Sequence, residues 1–219
     1  MVDAPGWYAA FGVTDDDAAL LEAWHDGDRV AGDTLFRRHF DSVFRFFRHK
    51  TDDRIAEELT QTTFLALASA SRRFEGRSTF KTYVFAVARR QLLMHFRRRY
   101  AGPREVDFDD MSVEDLGGTP SALVAAHQEQ TLLLLALRRI PLDYQIAIEL
   151  YYWEQMSTVQ IALVLELPEG TVRSRLTRAR GLIAEEVRAL SKDPLVARRT
   201  VEGFETWARG LRDLGSVRG

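Results

Sequence analysis

An all-α fold of two helical domains is what this sequence predicts, on three observations. Apolar residues recur at helical spacing along nearly all of the 219 residues, strand-like alternation is nowhere sustained, and an aperiodic stretch at 101–120 separates two periodic halves. Hydrophobic residues make up 46% of the chain, too many for a disordered protein and enough to give each half its own core. The boundaries read as a first domain at 15–100, a linker at 101–120, a second domain at 121–190 and a C-terminal extension at 191–219.

Taken in order, Asp16 to Trp24 is a short helix stopped near Gly27. A longer one runs from Arg29 to Lys50 with Phe36, Phe40, Val43, Phe44 and Phe47 on one face, and Gly32 inside it should cost about 1 kcal/mol of helix preference. A third spans Asp53 to Arg73 and carries Leu59, Phe64, Leu67 and Ala68. After a loop at Phe74 to Ser78, a fourth runs from Thr79 to Tyr100 with Phe80, Val84, Val87, Ala88 and Gln91 as its buried stripe. The linker, Ala101 to Pro120, is acidic at Asp107, Asp109, Asp110, Glu114 and Asp115 and offers little apolar surface, which predicts a flexible tether. The second domain opens with Ser121 to Arg139 and is interrupted at Ile140-Pro141. Asp143 should then cap a helix to Tyr152, and Ser157 another over Thr158 to Leu165. Pro168 stands at the start of a helix that ends at Leu190. Beyond it Asp193-Pro194 breaks the chain, and Val201, Phe204, Ala208 and Leu211 mark one more amphipathic helix, with Trp207 adding to its apolar side.

Composition excludes several classes. No apolar run reaches the ~18 residues of a membrane span, and Met1 to Asp17 lacks the basic-then-apolar pattern of a secretory signal. The absence of cysteine removes disulfides and thiolate metal sites, so the expectation is a cytoplasmic protein without membrane insertion. There is no phosphate-cradling Gly loop and no HExxH, and His25, His39, His49, His95 and His127 have no ligand spacing. No enzyme, metal site or cofactor is expected. Net charge is only −2, but the charges are segregated: Arg72 to Arg99 is basic, Glu105 to Asp115 acidic, and Arg173, Arg175, Arg178 and Arg180 basic again. Nucleic acid is one partner for such patches; solvated helix faces satisfy the charge pattern as well.

Ser157 to Arg180 has the spacing of a helix-turn-helix. On the second helix Val172, Leu176, Ala179 and Ile183 share one side and should pack on Ile161 and Leu150. Thr171, Ser174, Thr177 and Arg178 point the other way, flanked by Arg173 and Arg175, and a major groove accepts one such helix with Arg forks on guanine edges or phosphates. Periodicity alone leaves an ordinary helical hairpin with solubilising arginines equally open.

The residue strings add a resemblance. PEGTVRSRLTRAR at 168–180, extended back through IPLDYQIAIELYYWEQMSTVQIALVL at 140–165, resembles region four of bacterial extracytoplasmic-function (ECF) sigma factors of the sigma-70 family. Relatives usually have Gly where Glu166 stands at the turn. A side chain there costs about 1 kcal/mol or more in a left-handed conformation, so a different turn type is a possibility. Helix-turn-helices of this kind also occur in response regulators, so the first domain discriminates. Residues 26–99 resemble sigma region two: EELTQTTF at 57–64 matches the polymerase-docking helix, 74–79 the loop that captures a flipped base, and 79–99 the helix that grips the opened non-template strand.

What the resemblance implies can be placed on residues. Glu57, Glu58, Leu59, Gln61, Thr62 and Phe64 would meet core RNA polymerase at its beta-prime clamp helices, while region four meets the beta flap. Tyr83, Arg89, Arg90, Arg97 and Arg98 would handle melted minus-ten DNA, which needs a basic track and a π surface, and Thr171, Arg173, Ser174, Arg175, Thr177 and Arg178 the minus-thirty-five element. Tyr83 stands where relatives mostly have Trp, Arg90 where many have Asn and Met94 where many have Asp, which leaves the captured base open. Relatives usually carry Glu at the position of Thr62. A phosphate on Thr60, Thr62 or Thr63 would restore that charge, which makes a Ser/Thr kinase one candidate regulator and an anti-sigma factor another. The function implied is promoter recognition and initiation; the rivals are a helix-turn-helix regulator that does not replace sigma and an adaptor that displaces it.

Overall fold

The computed structural model describes residues 17–70, 78–99, 107–108, 110–117 and 128–206. Among these, nine helices and no strand are formed: α1 (Ala18–His25), α2 (Arg29–Arg48), α3 (Asp53–Ala70), α4 (Phe80–Arg99), α5 (Gln128–Arg139), α6 (Leu142–Tyr152), α7 (Thr158–Leu165), α8 (Glu169–Leu190) and α9 (Pro194–Glu202). The all-α class and both helical domains are as expected. Tyr100, residues 71–77 of the expected third helix and capture loop, Ser121 to His127, and Trp207, Ala208 and Leu211 lie outside the described residues.

In the first domain α2 packs against α1, α3 and α4. Asp28 caps α2 through Val30 N (2.8 Å) and Ala31 N (3.3 Å). Asp17, at the head of α1, makes no cap; its buried carboxylate takes Arg38 Nη1 at 2.6 Å and His39 Nε2 at 2.5 Å and so ties α1 to α2. Gly32 has a reason to sit inside α2. A Cβ there would lie 2.6 Å from the Trp24 ring, which packs edge-on against Phe36 at 5.2 Å and Phe80 at 6.5 Å. Of the expected stripe on α4, Phe80, Val84 and Ala88 are buried and Val87 and Gln91 half-buried; Phe85, Leu92, Leu93 and Phe96 are buried as well. The helix is covered on more than one side because α7 of the second domain packs on it.

In the second domain α8 packs against α5, α6, α7 and α9. Ser157 caps α7 as expected, in a reciprocal capping box with Gln160. Two expectations are corrected and a third is filled in. Pro141, not Asp143, occupies the N-cap of α6; Asp143 lies in the first turn with its carboxylate turned to arginines. The break expected at Asp193-Pro194 is present between α8, which ends at Leu190, and α9: Asp193 accepts from Leu195 N at 2.8 Å and Pro194 takes the first helical position. The acidic segment, expected to lack apolar anchors, buries Phe108, Val113 and Leu116. Its backbone is held too, by Leu142 N to Met111 O (2.9 Å) and Glu114 N to Arg138 O (3.1 Å), with an isolated bridge between Ser112 and Pro141. Alternate positions among the carboxylates supplied side chains for the core, which a reading dominated by charge overlooked.

Candidate nucleic-acid interface

The helix-turn-helix is built as its spacing implied. Val172, Leu176, Ala179 and Ile183 are buried, while Thr171, Arg173, Ser174, Thr177 and Arg178 are exposed along the opposite side of α8. Glu166 itself takes the left-handed conformation, φ 58° and ψ 43°, so the turn is not of a different type. Glu169 in the first turn of α8 accepts from Thr158 Oγ1 and Arg173 Nη2, each at 2.6 Å; these bonds hold its carboxyl below the usual range and join α7 to α8. Arg175 is placed differently from its neighbours. It is 7% exposed, 3.4 Å from Asp143 Oδ2, and its guanidinium lies over the Tyr144 ring at 5.0 Å. It is turned into the molecule.

On α4, Arg90, Arg97 and Arg98 are exposed and Tyr83 is half-buried; Arg97 also lies over the Phe108 ring at 5.4 Å. Arg89 is not on that open surface. It forks onto Asp143 with contacts of 2.9, 3.1 and 3.2 Å, across the junction between the two domains. Lys81, about two turns before Arg89 on α4, is likewise engaged by Glu154, at 3.0 Å to its carboxylate and 2.6 Å to its carbonyl.

The face proposed for protein docking lies on α3. Glu57, Glu58, Gln61 and Thr62 are exposed, whereas Leu59 and Phe64 belong to the core and fix how the helix is presented. Leu65, 68% exposed, stands on the same face as Glu58, Gln61 and Thr62 by helical spacing, a signal the sequence carried and the reading passed over. The three threonines separate cleanly. Thr60 and Thr63 are buried, their hydroxyls donating to Ala56 O and Leu59 O at 2.7 Å; Thr62 is exposed, donating to Glu58 O at 2.8 Å.

Sequence reasoning missed the junction altogether. Lys50, 0% exposed, donates to Phe46 O at 2.8 Å and pairs with Glu149, which also accepts from Gln145 Nε2 at 2.8 Å. Arg45 Nη2 meets Glu154 Oε1 at 2.9 Å, and the His49 ring packs edge-on against Trp153 at 4.6 Å. Burial acts to raise the carboxyls of Glu149 and Glu154, yet both lie below the usual range because their partners outweigh it: the charge of Lys50 and a hydrogen bond with His49 at one, Lys81 and Arg45 at the other. Burial pushes Lys50 and His49 down from their ordinary values. No single residue type flags such pairs in a sequence, since each partner lies far along the chain in the other domain, from a separation of 54 between Arg89 and Asp143 to one of 109 between Arg45 and Glu154.

Among the described residues no group of His, Cys, Asp and Glu could hold a metal ion, and no helix is long and apolar enough to cross a membrane. Comparison with known families finds two matches: Sigma-70 region 2 over residues 35–101 and Sigma-70, region 4 over residues 130–183. The chain is 27% identical over 187 residues to the RNA polymerase sigma-H factor of Pseudomonas aeruginosa, covering 81% of this chain and 96% of that protein. It is 25% identical over 182 residues to the ECF RNA polymerase sigma-E factor of Haemophilus influenzae, covering 80% and 96%, and 26% identical over 182 residues to that of Escherichia coli K12, covering 80% and 95%.

Proposed function

The chain belongs to the sigma-70 family, among the ECF RNA polymerase sigma factors, and from that premise we propose how its surfaces divide the work. Residues 15–100 bind core polymerase and open the minus-ten region; 121–190 read the minus-thirty-five element; 101–120 join them and 191–219 form an extension. The observation that carries the reading is the outward row Thr171, Arg173, Ser174, Thr177 and Arg178 on α8, held by a capped α7 and free of burial, while the remaining basic surface sits on α4. Exposed Arg side chains on one helix suit guanine edges and phosphates in a major groove. Arg90, Arg97 and Arg98 form the track for single-stranded phosphates and Tyr83 supplies a stacking surface. Arg89 and Arg175 join them only when the two domains part.

Glu57, Glu58, Gln61, Thr62 and Leu65 dock on the beta-prime clamp helices, with the second domain on the beta flap. The phosphoryl-transfer chemistry and its magnesium belong to polymerase, so this chain works without a cofactor of its own. Its place is the cytoplasm, on the nucleoid when bound to polymerase. Control falls either to an anti-sigma factor or to a Ser/Thr kinase acting on Thr62, the exposed one of the three threonines. Phosphate there adds a charge of about −1.5 to −2 beside Glu58 on a face otherwise short of the acid its relatives carry. Thr62→Glu should then bind core polymerase more tightly than Thr62→Ala; equal binding removes the kinase.

Adding the protein to sigma-free core polymerase on a promoter template tests the function itself. Specific initiation is expected. DNA binding without initiation would instead make it a helix-turn-helix regulator that does not replace sigma.

A further inference from the structure

The exposed row on α8 does not offer its donors equally. Ser174 Oγ donates to Thr171 O at 2.9 Å and Thr177 Oγ1 to Arg173 O at 3.2 Å, so both hydroxyls are turned back on their own helix. Arg178 is exposed and has no carboxylate partner among the described residues. Arg173 is held. Its Nη2 donates at 2.6 Å to Glu169 Oε1, one turn earlier on α8, and the same oxygen accepts from Thr158 Oγ1 of α7, also at 2.6 Å.

An exposed ion pair of this spacing adds little to stability. Arg37–Asp33 and Arg198–Glu202 are pairs of that kind, with both side chains at least 60% exposed. The Glu169 carboxylate differs in being 35% exposed and in being gripped from a second helix. Thr158 fixes one of its oxygens, and that oxygen fixes where the Arg173 guanidinium lies. Glu169 also stands in the first turn of α8, the end that a recognition helix presents to base edges. A carboxylate there works against affinity, because DNA carries a negative charge for every ~1.7 Å of its axis. What it supplies is direction. A free arginine meets a phosphate as readily as a guanine edge, whereas one N–H anchored on Glu169 leaves the rest of the fork aimed one way. The rotamer freedom that a long side chain loses on binding is then already absent before DNA arrives.

We propose that Glu169 is a positioning residue for promoter reading: pinned by Thr158 of α7, its carboxylate holds Arg173 toward a guanine edge and repels nearby phosphates, so that the helix-turn-helix gives up affinity and gains selectivity at one base pair. The proposal rests on the reading of α8 as the helix that recognises the minus-thirty-five element, and deepens it by naming what sets its selectivity. None of the DNA or polymerase contacts assigned above falls on Glu169 or Thr158. Arg178, without a carboxylate to hold it, is outside this device.

A pool of random-sequence duplexes is offered to the full chain, alone and with core polymerase, and the bound fraction is sequenced. Wild type should enrich guanine at a position whose preference disappears in Arg173→Ala. Glu169→Gln should lower the preference at that same position by about tenfold and leave the others as they are. It should also bind the unselected pool about threefold or more tightly, with a salt slope steeper by about one, since Arg173 is released to a phosphate. Affinity and selectivity thus move in opposite directions, which mere loss of a helix-end acid does not produce. Thr158→Val should shift selectivity the same way, and Thr158→Ser, which keeps the hydroxyl, should not. Unchanged preference in Glu169→Gln overturns the proposal, as does weaker binding to selected and unselected pools alike. Preference lost at a position other than that of Arg173 makes Glu169 a base contact itself and overturns its positioning role. A wild type that enriches no base also overturns it. Should Glu169→Gln lose helicity, Glu169→Asp and Thr158→Val carry the same readouts and decide in the same way. Failure of the wild type to initiate with core polymerase would defeat the sigma reading, whereas selection by the full chain alone judges Glu169 independently of it.

Discussion

At Gly32 two residue-scale effects oppose each other, and magnitudes decide between them. Replacing a mid-helix glycine by alanine gains about 1 kcal/mol of helix preference. Here the new methyl would meet the Trp24 ring at 2.6 Å, and that ring is wedged against Phe36 and Phe80, so it cannot swing away without disturbing the core of the first domain. Overpacking costs about 1–3 kcal/mol, so Gly32→Ala should lower stability by roughly 1 kcal/mol net in denaturant titration. Glu166 is the reverse case. Its side chain is exposed and its backbone left-handed, a conformation that lets its own N–H and that of Leu167 close α7 on Ala162 O and that glycine adopts without a Cβ penalty. Glu166→Gly should stabilise the second domain by about 1 kcal/mol, seen as a higher denaturant midpoint with an unchanged slope.

At the scale of elements, α8 and α9 each make a claim. Arg178 projects from the exposed side of α8 two turns after the turn, well placed for a base edge. Arg178→Ala should cost about 1–3 kcal/mol in minus-thirty-five binding and relax selection at one base, with polymerase affinity unchanged. A uniform loss across all sequences, with a shallower salt slope, would mark it as a phosphate contact. The extension reads as part of the second domain. Phe204 is buried with its ring edge-on to Tyr152 at 5.4 Å, and the Tyr152 hydroxyl accepts from Arg180 Nε at 2.8 Å, so α8, α6 and the residues after α9 are joined at one point. Phe204→Ala should destabilise the second domain by about 3 kcal/mol, read from thermal or chemical melting. Deletion from Asp193 onward should do at least as much.

For the whole molecule, the junction makes closure depend on pH with a definite sign. Glu149, facing Lys50, His49 and Gln145, and Glu154, facing Lys81 and Arg45, have their carboxyls lowered in the closed form; His49 and Lys50 are lowered by burial. Each group thus binds its proton less readily when the domains are together, so the open form takes up protons and acid favours opening. The His49 contribution should be full above about 6.5 and fade as pH falls below that; those of the two carboxylates should fade only further down, below about 4.5. Energy transfer between the domains measured from pH 7.5 to 5 should therefore fall, and His49→Phe should flatten the fall in the upper part of that range. Constant transfer across it would remove His49 from the closing interaction.

The sequence by itself determined the all-α class, the course of most helices and the family, because helical periodicity and capping are local: Ser157, Pro168 and the Val172 to Ile183 stripe act within a few residues of where they stand. The exposed row Thr171, Arg173, Ser174, Thr177 and Arg178 on α8 was legible for the same reason. Only the tertiary structure decided which arginines are available. Arg89 and Arg175 look from sequence like their exposed neighbours Arg90 and Arg173, and what separates them is Asp143, distant in the chain from Arg89 and close in space. Likewise Leu59, Phe64, Thr60 and Thr63 share a string with the docking face, yet they point inward, since α3 rotates each residue by a fixed angle and packing on α2 and α4 selects the buried side. The anchoring of Phe108, Val113 and Leu116 followed the same rule: net charge describes a segment's average, whereas burial is settled one side chain at a time by the surface available to receive it.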